Sequence, residues 1–441
     1  MIWLTVRGRK QCETKLFFSF ARSFSSNSPN ITEDTIIVNN VTYPKDSMTN
    51  ATPKILSHLD RKLHLEKQHP LNLVKQRIVN YMYKRYKENR GMPTFSVHEQ
   101  ISPVVTLEQN FDNLLVPADH VSRSKSDSYY LNKSHMLRAH TSAHQSDLIK
   151  MGLDNFLVVG DVYRRDEIDA THYPVFHQME GVRLLSGREI SKMSQNPAHD
   201  IKMFENSERN NFKQGVHTFD AAKILEVDLK NCLSGLAKDL FGEKIEYRWV
   251  DCYFPFTHPS WELEVYYQDD WLEVLGCGVM EQEILAKSGV EDKVGWAFGL
   301  GLERLAMVLY SIPDIRIFWS TDSGFLSQFS EAGPDSKIEY KVTSKFPQCV
   351  SDISFWIPKS EAGEELFSPN DFYDLVRDHG GDLVEQVKLI DECTHPKKGV
   401  SSQTYRIVYR HMSKTLSQEE ANIVHKTIET AATNNLGVTI R

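Results

Sequence analysis

The sequence predicts an α+β fold in two globular parts, a mostly antiparallel sheet flanked by helices and then a small βαββαβ module. Three observations carry that prediction. Between about residues 100 and 320 short apolar runs alternate with turns, at 103–107, 156–162, 175–185, 247–253, 263–267 and 271–275, with few regular helices between them. After residue 345 the hydrophobic period switches between 2 and 3.6 clearly enough to place every element. A length of 441 residues, 40% hydrophobic and 25% charged, suffices for two or three domains with cores of their own.

The elements follow in chain order. Residues 1–29 carry Arg7, Arg9, Lys10, Lys15 and Arg22 against the single acid Glu13, interleaved with Trp3, Leu16, Phe17, Phe18 and Phe20 and followed by serines. That basic, serine-rich, acid-poor composition predicts a mitochondrial transit peptide. Residues 30–100 read as an N-terminal extension, with a short strand over 36–41 and then helical spacing of Leu56, Leu59 and Leu63. After Pro70 the spacing resumes with Leu73, Val74, Ile78, Tyr81 and Met82, and Lys75, Arg77, Lys84, Arg85 and Lys87 fall on other faces, an interaction candidate that reads more simply as a solvated charged face. Residues 101–323 hold the predicted sheet. Residues 324–344, with Ser330, Gly333, Pro334, Asp335 and Ser336, read as a linker.

The last part, 345–441, parses element by element. Val350, Ile353 and Phe355 mark a strand, and Asn370 caps a helix through Arg377 that stops at Gly380 and Gly381. Val387 and Leu389 mark a second strand, Tyr405, Ile407 and Tyr409 a third. Ser417 and Glu420 form a capping box for a helix running to Gly437, and 438–441 is left for a final strand. The order βαββαβ is the ferredoxin-like split βαβ.

Composition also excludes some classes. A net charge of −8 is incompatible with a wholly basic surface, so any nucleic-acid contact is confined to patches. Six cysteines without a CxxC pair fit neither a disulfide framework nor a zinc knuckle, and point to a reducing compartment. No run of eighteen apolar residues offers a bilayer-spanning helix.

Three stretches carry chemistry. In GDVYRRDEIDATHYPVFHQMEG, residues 160–181, a strand bearing Arg164 leads through a polar loop into a returning strand. Period-two alternation places Phe176, Gln178 and Glu180 on one face, an aromatic plate able to stack a nucleobase beside an amide and a carboxylate able to hold an ammonium group. In WAFGLGLERLAM, residues 296–307, Gly299 and Gly301 let a strand turn into a helix whose first turn carries Glu303 and Arg304, a guanidinium placed for phosphate. The missing third glycine excludes a dinucleotide fingerprint. In VDCYFPFTHPSWELEV with WLEVLGCGVM, Phe254 and Phe256 wall an aromatic slot, and Gly276 and Gly278 leave room for a ligand against the backbone. Cys252, His258 and Cys277 are too unevenly spaced for a metal set.

Taken in order, LRAHTSAHQ, VYRRDEID, FHQMEG, CYFPFTHPS, EVLGCGVMEQ and FGLGLERLAM resemble the signature motifs of the class II aminoacyl-tRNA synthetases, most closely the single-chain phenylalanyl-tRNA synthetases of mitochondria. FYDLVRDHGGDLVEQVKLID and YRIVYRHMSKTLS are similar to that group's anticodon-binding domain, so the resemblance runs from about residue 55 to the end. It implies a class II catalytic domain over 101–323, a ferredoxin-like anticodon-binding domain over 345–441, and ATP-dependent attachment of phenylalanine to mitochondrial tRNA(Phe), by a monomer in the mitochondrial matrix. ATP with Mg2+ is the implied co-substrate, with no protein-bound metal. Arg164 and Arg304 are the implied catalytic residues, holding the ATP phosphates, and Phe176 stacks adenine. His140, Ser142, Gln145, Gln178 and Glu180 anchor the ammonium and carboxylate of the amino acid, with Ala143, His144, Met179, Gly276 and Gly301 beside them. Phe254, Phe256 and Ala297 face its ring, and His172, Tyr173 and His177 lie by the loop where ATP meets the tRNA end. Arg406, Arg410 and Lys414, with Lys397 and Lys398 nearby, are the implied tRNA contacts. Two departures stand out: Val121 where relatives place a proline in the first motif, and His258 where bacterial relatives carry a glutamate. No stretch remains for a separate editing domain, so discrimination is expected to rest on the pocket.

Overall fold

The structure, a computed structural model, describes residues 30–441 apart from 60, 88–90, 195–200, 268, 321–322, 342–345, 360–365, 395–399 and 412–413. The segment read as a transit peptide, and Lys397 and Lys398, lie outside the described residues. Among those described, no helix is long and apolar enough to cross a membrane.

A seven-stranded sheet organises the larger part: β1 (Ser96–His98), β2 (Asn155–Tyr163), β3 (Val175–Ser186), β4 (Tyr247–Phe254), β5 (Thr257–Tyr267), β6 (Asp270–Met280) and β7 (Lys293–Gly301), in the order β1-β2-β3-β7-β6-β5-β4. Every pair is antiparallel except β1 with β2. The helices α1 (Pro70–Arg85), α2 (Phe219–Phe241) and α3 (Leu302–Tyr310) contribute to the core of one face, where Leu157, Val159, Met179, Leu263, Leu275 and Phe298 are buried. Phe156, Val158, Val182, Leu184 and Ala297 face the other way, into a second core with Phe111, Ile149 and Leu285. Alternation thus fills both sides of the sheet, and the cavities described below open at one end of the second side.

The N-terminal extension differs from the reading in detail. The expected strand over 36–41 is broken by a turn in which Asn39 and Asn40 both have positive φ, a conformation asparagine tolerates, and becomes a hairpin of Thr35–Val38 and Val41–Pro44. The helix expected through Leu63 is a single turn, Pro53–Leu56, capped by Thr52; Leu59 follows it and Leu63 opens a separate 3-10 turn, Leu63–Leu65, and both are still buried. Lys75 is not on a solvated face: it is 3% exposed and pairs with Glu99 at 2.7 Å, because a buried ammonium needs a counter-charge.

The expected linker also differs. Phe325 and Phe329 are buried, Phe329 against Tyr310 and Phe325 against Tyr340, and the Gln328 amide bonds both backbone polar groups of Lys341. Two aromatic anchors outweigh the glycine, serine and proline around them and tie this stretch to the core.

The C-terminal module has the expected order: β8 (Cys349–Trp356), α4 (Pro369–Gly380), β9 (Val384–Thr394), β10 (Ser401–Tyr409), α5 (Gln418–Leu436) and β11 (Thr439–Ile440), with sheet order β9-β10-β8-β11. The Ser417–Glu420 capping box is present, and Gly437 ends α5 with φ +65°. Asn370 is not the cap of α4. Ser368 occupies that position and Pro369 opens the helix, while the Asn370 amide donates to the Ser126 carbonyl at 3.0 Å.

That bond belongs to an interface. The module packs on the β2–β3 loop: Ile168 is buried in the module's own core, and the Val387 N–H donates to the Ile168 carbonyl at 3.0 Å. Arg165, 7% exposed, pairs with Asp374 at 3.0 Å and Asp371 at 2.9 Å, and Asp374 also accepts from the Tyr129 hydroxyl. Arg377 donates to the carbonyls of Asp166 and Glu167, and Tyr173 to Asp382 at 3.0 Å.

Removing a fully buried aromatic costs about 3–5 kcal/mol. Phe329→Ala is expected to destabilise the larger part by that amount in denaturant unfolding; an effect below about 1 kcal/mol would return residues 324–341 to the status of a linker.

Candidate active site

The register of β3 on β7 builds the site. Phe176, Gln178 and Glu180 project together, while His177 and Met179 point into the helix-covered core. Gln178 lies opposite Gly301, Glu180 opposite Gly299, and Gly299 opposite Gly276 on β6. A Cβ at Gly299 or Gly301 would meet no atom within 4 Å, so their missing side chains are what leave the floor open. Gly276 and Gly278 do not work that way. A Cβ would strike the Phe254 ring at 2.7 Å in one case and Thr257 and Pro259 at 2.6 Å in the other, so at both positions protein fills the room a side chain would need, and Gly276 still lines the first cavity.

The first cavity, about 190 Å³, is polar at one end and apolar at the other. Its polar end holds His140, Ser142, Gln145, Gln178 and Glu180. The buried Glu180 carboxylate accepts from the Ser142 hydroxyl at 2.5 Å, from Thr141 at 3.3 Å and from the Gln145 amide. None of these donors is a cation, and burial pushes the Glu180 carboxyl up to about 7 against their pull. Among the described residues no cation pairs with this carboxylate. The apolar end is made by Phe254, Phe256, Ala297 and Phe298. The Phe254 and Phe256 rings are parallel within 5° with centroids 5.7 Å apart. A third ring between them would need about 7 Å, two ordinary carbon contacts. They therefore form one wall of the slot rather than two.

The second cavity, about 280 Å³, adjoins the first and shares Gln178, Glu273 and Gly299 with it. Arg164, His172, Tyr173, Phe176, Gly301 and Arg304 are among its other lining residues, with the acids Asp166 and Glu303. The Arg164 guanidinium lies over the Phe176 ring, 5.2 Å from its centroid, and its Nε donates to the Ala139 carbonyl at 2.8 Å. Arg304, half exposed, bonds Glu273 at 3.0 Å. Two guanidinium groups and an aromatic face suit a nucleotide with several phosphates.

With this geometry in view, comparison with known proteins is informative. Residues 57–220 and 190–329 match the class II tRNA synthetase core domain (F), and residues 344–441 match the ferredoxin-fold anticodon binding domain. The chain belongs to the class II phenylalanine–tRNA ligases. A protein of Drosophila melanogaster named probable mitochondrial phenylalanine–tRNA ligase is 56% identical over 92% of each chain. The mitochondrial phenylalanine–tRNA ligase of Mus musculus is 55% identical over 90% of this chain and 86% of its own. That of Saccharomyces cerevisiae is 37% identical over 92% and 94%.

Within the synthetase core some residues named from the sequence stay out of the cavities. Ala143 is packed in the second core, and His144 accepts a hydrogen bond from the buried Arg138 at 2.9 Å, itself paired with Asp161 at 2.8 Å. His177, fully buried, offers its backbone N–H and its Nδ1 to Glu303, each at 2.7 Å, and so ties β3 to α3 beneath the nucleotide cavity. Met179 is core. Contiguous motif residues in a strand alternate between faces, so half of FHQMEG supports the site from behind. His258 Nε2 meets the Asn210 carbonyl at 2.6 Å, and the described residues contain no cluster of three or more metal-ligating side chains.

Thr141, Thr257, Glu273 and Gly299 belong to the site without having been assigned to it. Thr141 donates its backbone N–H to Gln178 and its hydroxyl to Glu180, and the others line the cavities. The glycine could have been found by pairing GLG against QME across the predicted sheet.

The anticodon-binding domain corrects one expectation. Arg406 is bidentate on Asp352 at 2.8 and 2.9 Å, Arg410 pairs with Glu385 at 2.9 Å and Lys414 with Glu420 at 2.6 Å, so these three cations are neutralised rather than gathered into a bare positive patch.

Two expectations follow. Ammonium binding requires ionised Glu180, so the KM for phenylalanine should rise about tenfold from pH 8 to pH 6 as the carboxyl takes up its proton; a flat profile would show that Glu180 does not receive the ammonium. Gly299→Ala places a methyl on the floor shared by both cavities. It should raise the KM of amino acid and ATP several-fold with thermal stability undiminished.

Proposed function

We propose that this chain attaches phenylalanine to mitochondrial tRNA(Phe) in the mitochondrial matrix, as a monomer, through a phenylalanyl-adenylate. The observation that carries this reading is the junction of the two cavities at Gln178, Glu273 and Gly299. An amino acid with its ammonium at Glu180 and its ring toward Phe254, Phe256 and Ala297 then has its carboxylate facing the phosphates held by Arg164 and Arg304. Relatives over most of the chain carry the corresponding name.

In the first step a carboxylate oxygen attacks the α-phosphorus and the bond to pyrophosphate breaks. In the second, the terminal ribose hydroxyl of tRNA attacks the mixed-anhydride carbonyl and AMP leaves. Neither step needs a protein nucleophile. Alignment of the two substrates supplies most of the acceleration, a contribution that can reach about 7–11 kcal/mol, with the guanidinium groups stabilising charge on the phosphates. Magnesium enters with ATP as part of that substrate.

Phenylalanine-dependent exchange of labelled pyrophosphate into ATP, followed by charging of mitochondrial tRNA(Phe), tests the two steps separately. Arg164→Ala should lower exchange by about 100-fold or more. An apolar slot rejects an added hydroxyl by only about 100-fold, so tyrosine should be adenylated at about one hundredth of the efficiency of phenylalanine; rejection beyond about ten-thousandfold would mean that a polar contact, and not the apolar wall, sets specificity. Absence of exchange with a correctly folded protein would leave a tRNA-binding relative without catalysis.

A further inference from the structure

Two adjacent side chains that line neither cavity hold the two ends of the segment that feeds both. Gln109 and Asn110 are the last residues of the helical turn Leu107–Asn110. The Gln109 amide donates to Asp147 at 2.6 Å, and Asn110 Oδ1 accepts from the Ala139 backbone N–H at 3.0 Å. Between those two points lie Thr141, Ser142 and Gln145, the three donors to Glu180. Asn110 is fully buried, and since only its oxygen can accept from an N–H, its orientation is fixed.

From there Asn110 reaches both cavities. The carbonyl of the same Ala139 accepts from Arg164 Nε at 2.8 Å, so one residue of backbone joins the buried amide to a guanidinium of the nucleotide cavity. The backbone carbonyl of Asn110 faces the ring of His140, which lines the amino-acid cavity. Burial, and then the Arg164 charge, push His140 down to about 3, so the ring is neutral and adds no cation between the two substrates.

We propose that Asn110 is a positioning residue for both substrates. By fixing Ala139 and His140 it places the Arg164 guanidinium on the ATP side, and the His140 ring with the donors to Glu180 on the amino-acid side. The proposal rests on the reading of the two cavities as the sites of amino acid and ATP. Without the side-chain oxygen the buried Ala139 N–H is left with no acceptor, and the peptide shifts to find one. A displacement of about 1 Å at a substrate contact can cost about 100-fold even when the altered residue lies away from the chemistry.

Asn110→Ala removes the acceptor. In initial rates of pyrophosphate exchange it should raise the KM for ATP and the KM for phenylalanine, each about tenfold. Should it not fold, Asn110→Leu, of nearly the same volume, is expected to give the same two changes. Phe329→Ala, which weakens the core away from the cavities, should lower the amount of active protein with both KM values native, so a general loss of stability does not imitate the result. Arg164→Lys keeps a cation but lacks the Nε that donates to Ala139. If Asn110 acts on ATP through that bond, adding Asn110→Ala to Arg164→Lys raises the KM for ATP by no more than about twofold further, while the KM for phenylalanine still rises about tenfold. A KM for either substrate within about twofold of native in a folded Asn110 variant overturns the proposal, as do effects of the two substitutions on ATP that multiply in full. Arg164→Lys by itself distinguishes the two levels. If it leaves the KM for ATP unchanged, the reading of the second cavity falls; if it raises that KM while Asn110→Ala behaves as native, only the role of Asn110 falls.

Discussion

The pairing of β3 with β7 is the constraint on which the rest depends. It sets Gln178 and Glu180 against two glycines, and the emptiness above those glycines is the space in which two substrates can meet. A slip by one residue would turn Phe176, Gln178 and Glu180 into the helix-covered core and bring His177 and Met179 to the surface of the site. The interior resists that exchange from both sides: His177 is locked to Glu303 below the sheet, and Glu180 is held by three donors above it. Catalytic geometry and sheet register are here one property.

Much of this was legible in the sequence because it depends on local rules. The βαββαβ order of the C-terminal module could be read from a capping box, glycine stops and alternating strands, each of which acts within a few residues. The shared face of Phe176, Gln178 and Glu180 follows from the pleat alone. What could not be read depends on contacts between distant segments. Phe325 and Phe329 sit among turn-forming residues, and nothing nearby shows that a core awaits them. Arg406, Arg410 and Lys414 look available until the carboxylates that meet them are known, and Lys75 looks solvated until Glu99 is found beside it. Gly278 invites a ligand in the sequence, whereas the fold supplies Thr257 and Pro259 instead.

The neutralised cations of the anticodon-binding domain bear on how that domain meets RNA. A guanidinium already paired with a carboxylate exchanges one anion for another when phosphate arrives, which reduces the net electrostatic gain and makes fit more important than charge density. Residues 345–441 hold slightly more Asp and Glu than Lys and Arg, and sequence preference in single-stranded RNA comes from stacking and edge contacts, which such a domain can provide as well as a basic one.

Arg164 and Arg165 are neighbours in the chain, yet one lies over the nucleotide cavity and the other is clasped by Asp371 and Asp374 of the C-terminal module. Between residues 164 and 173 the same ribbon therefore serves as wall for one cavity and as footing for another domain. Ile168 and Arg165 hold only the footing, Arg164 and His172 line only the cavity, and Tyr173 reaches both, so the docking of the module and the shape of the cavity share one ten-residue ribbon.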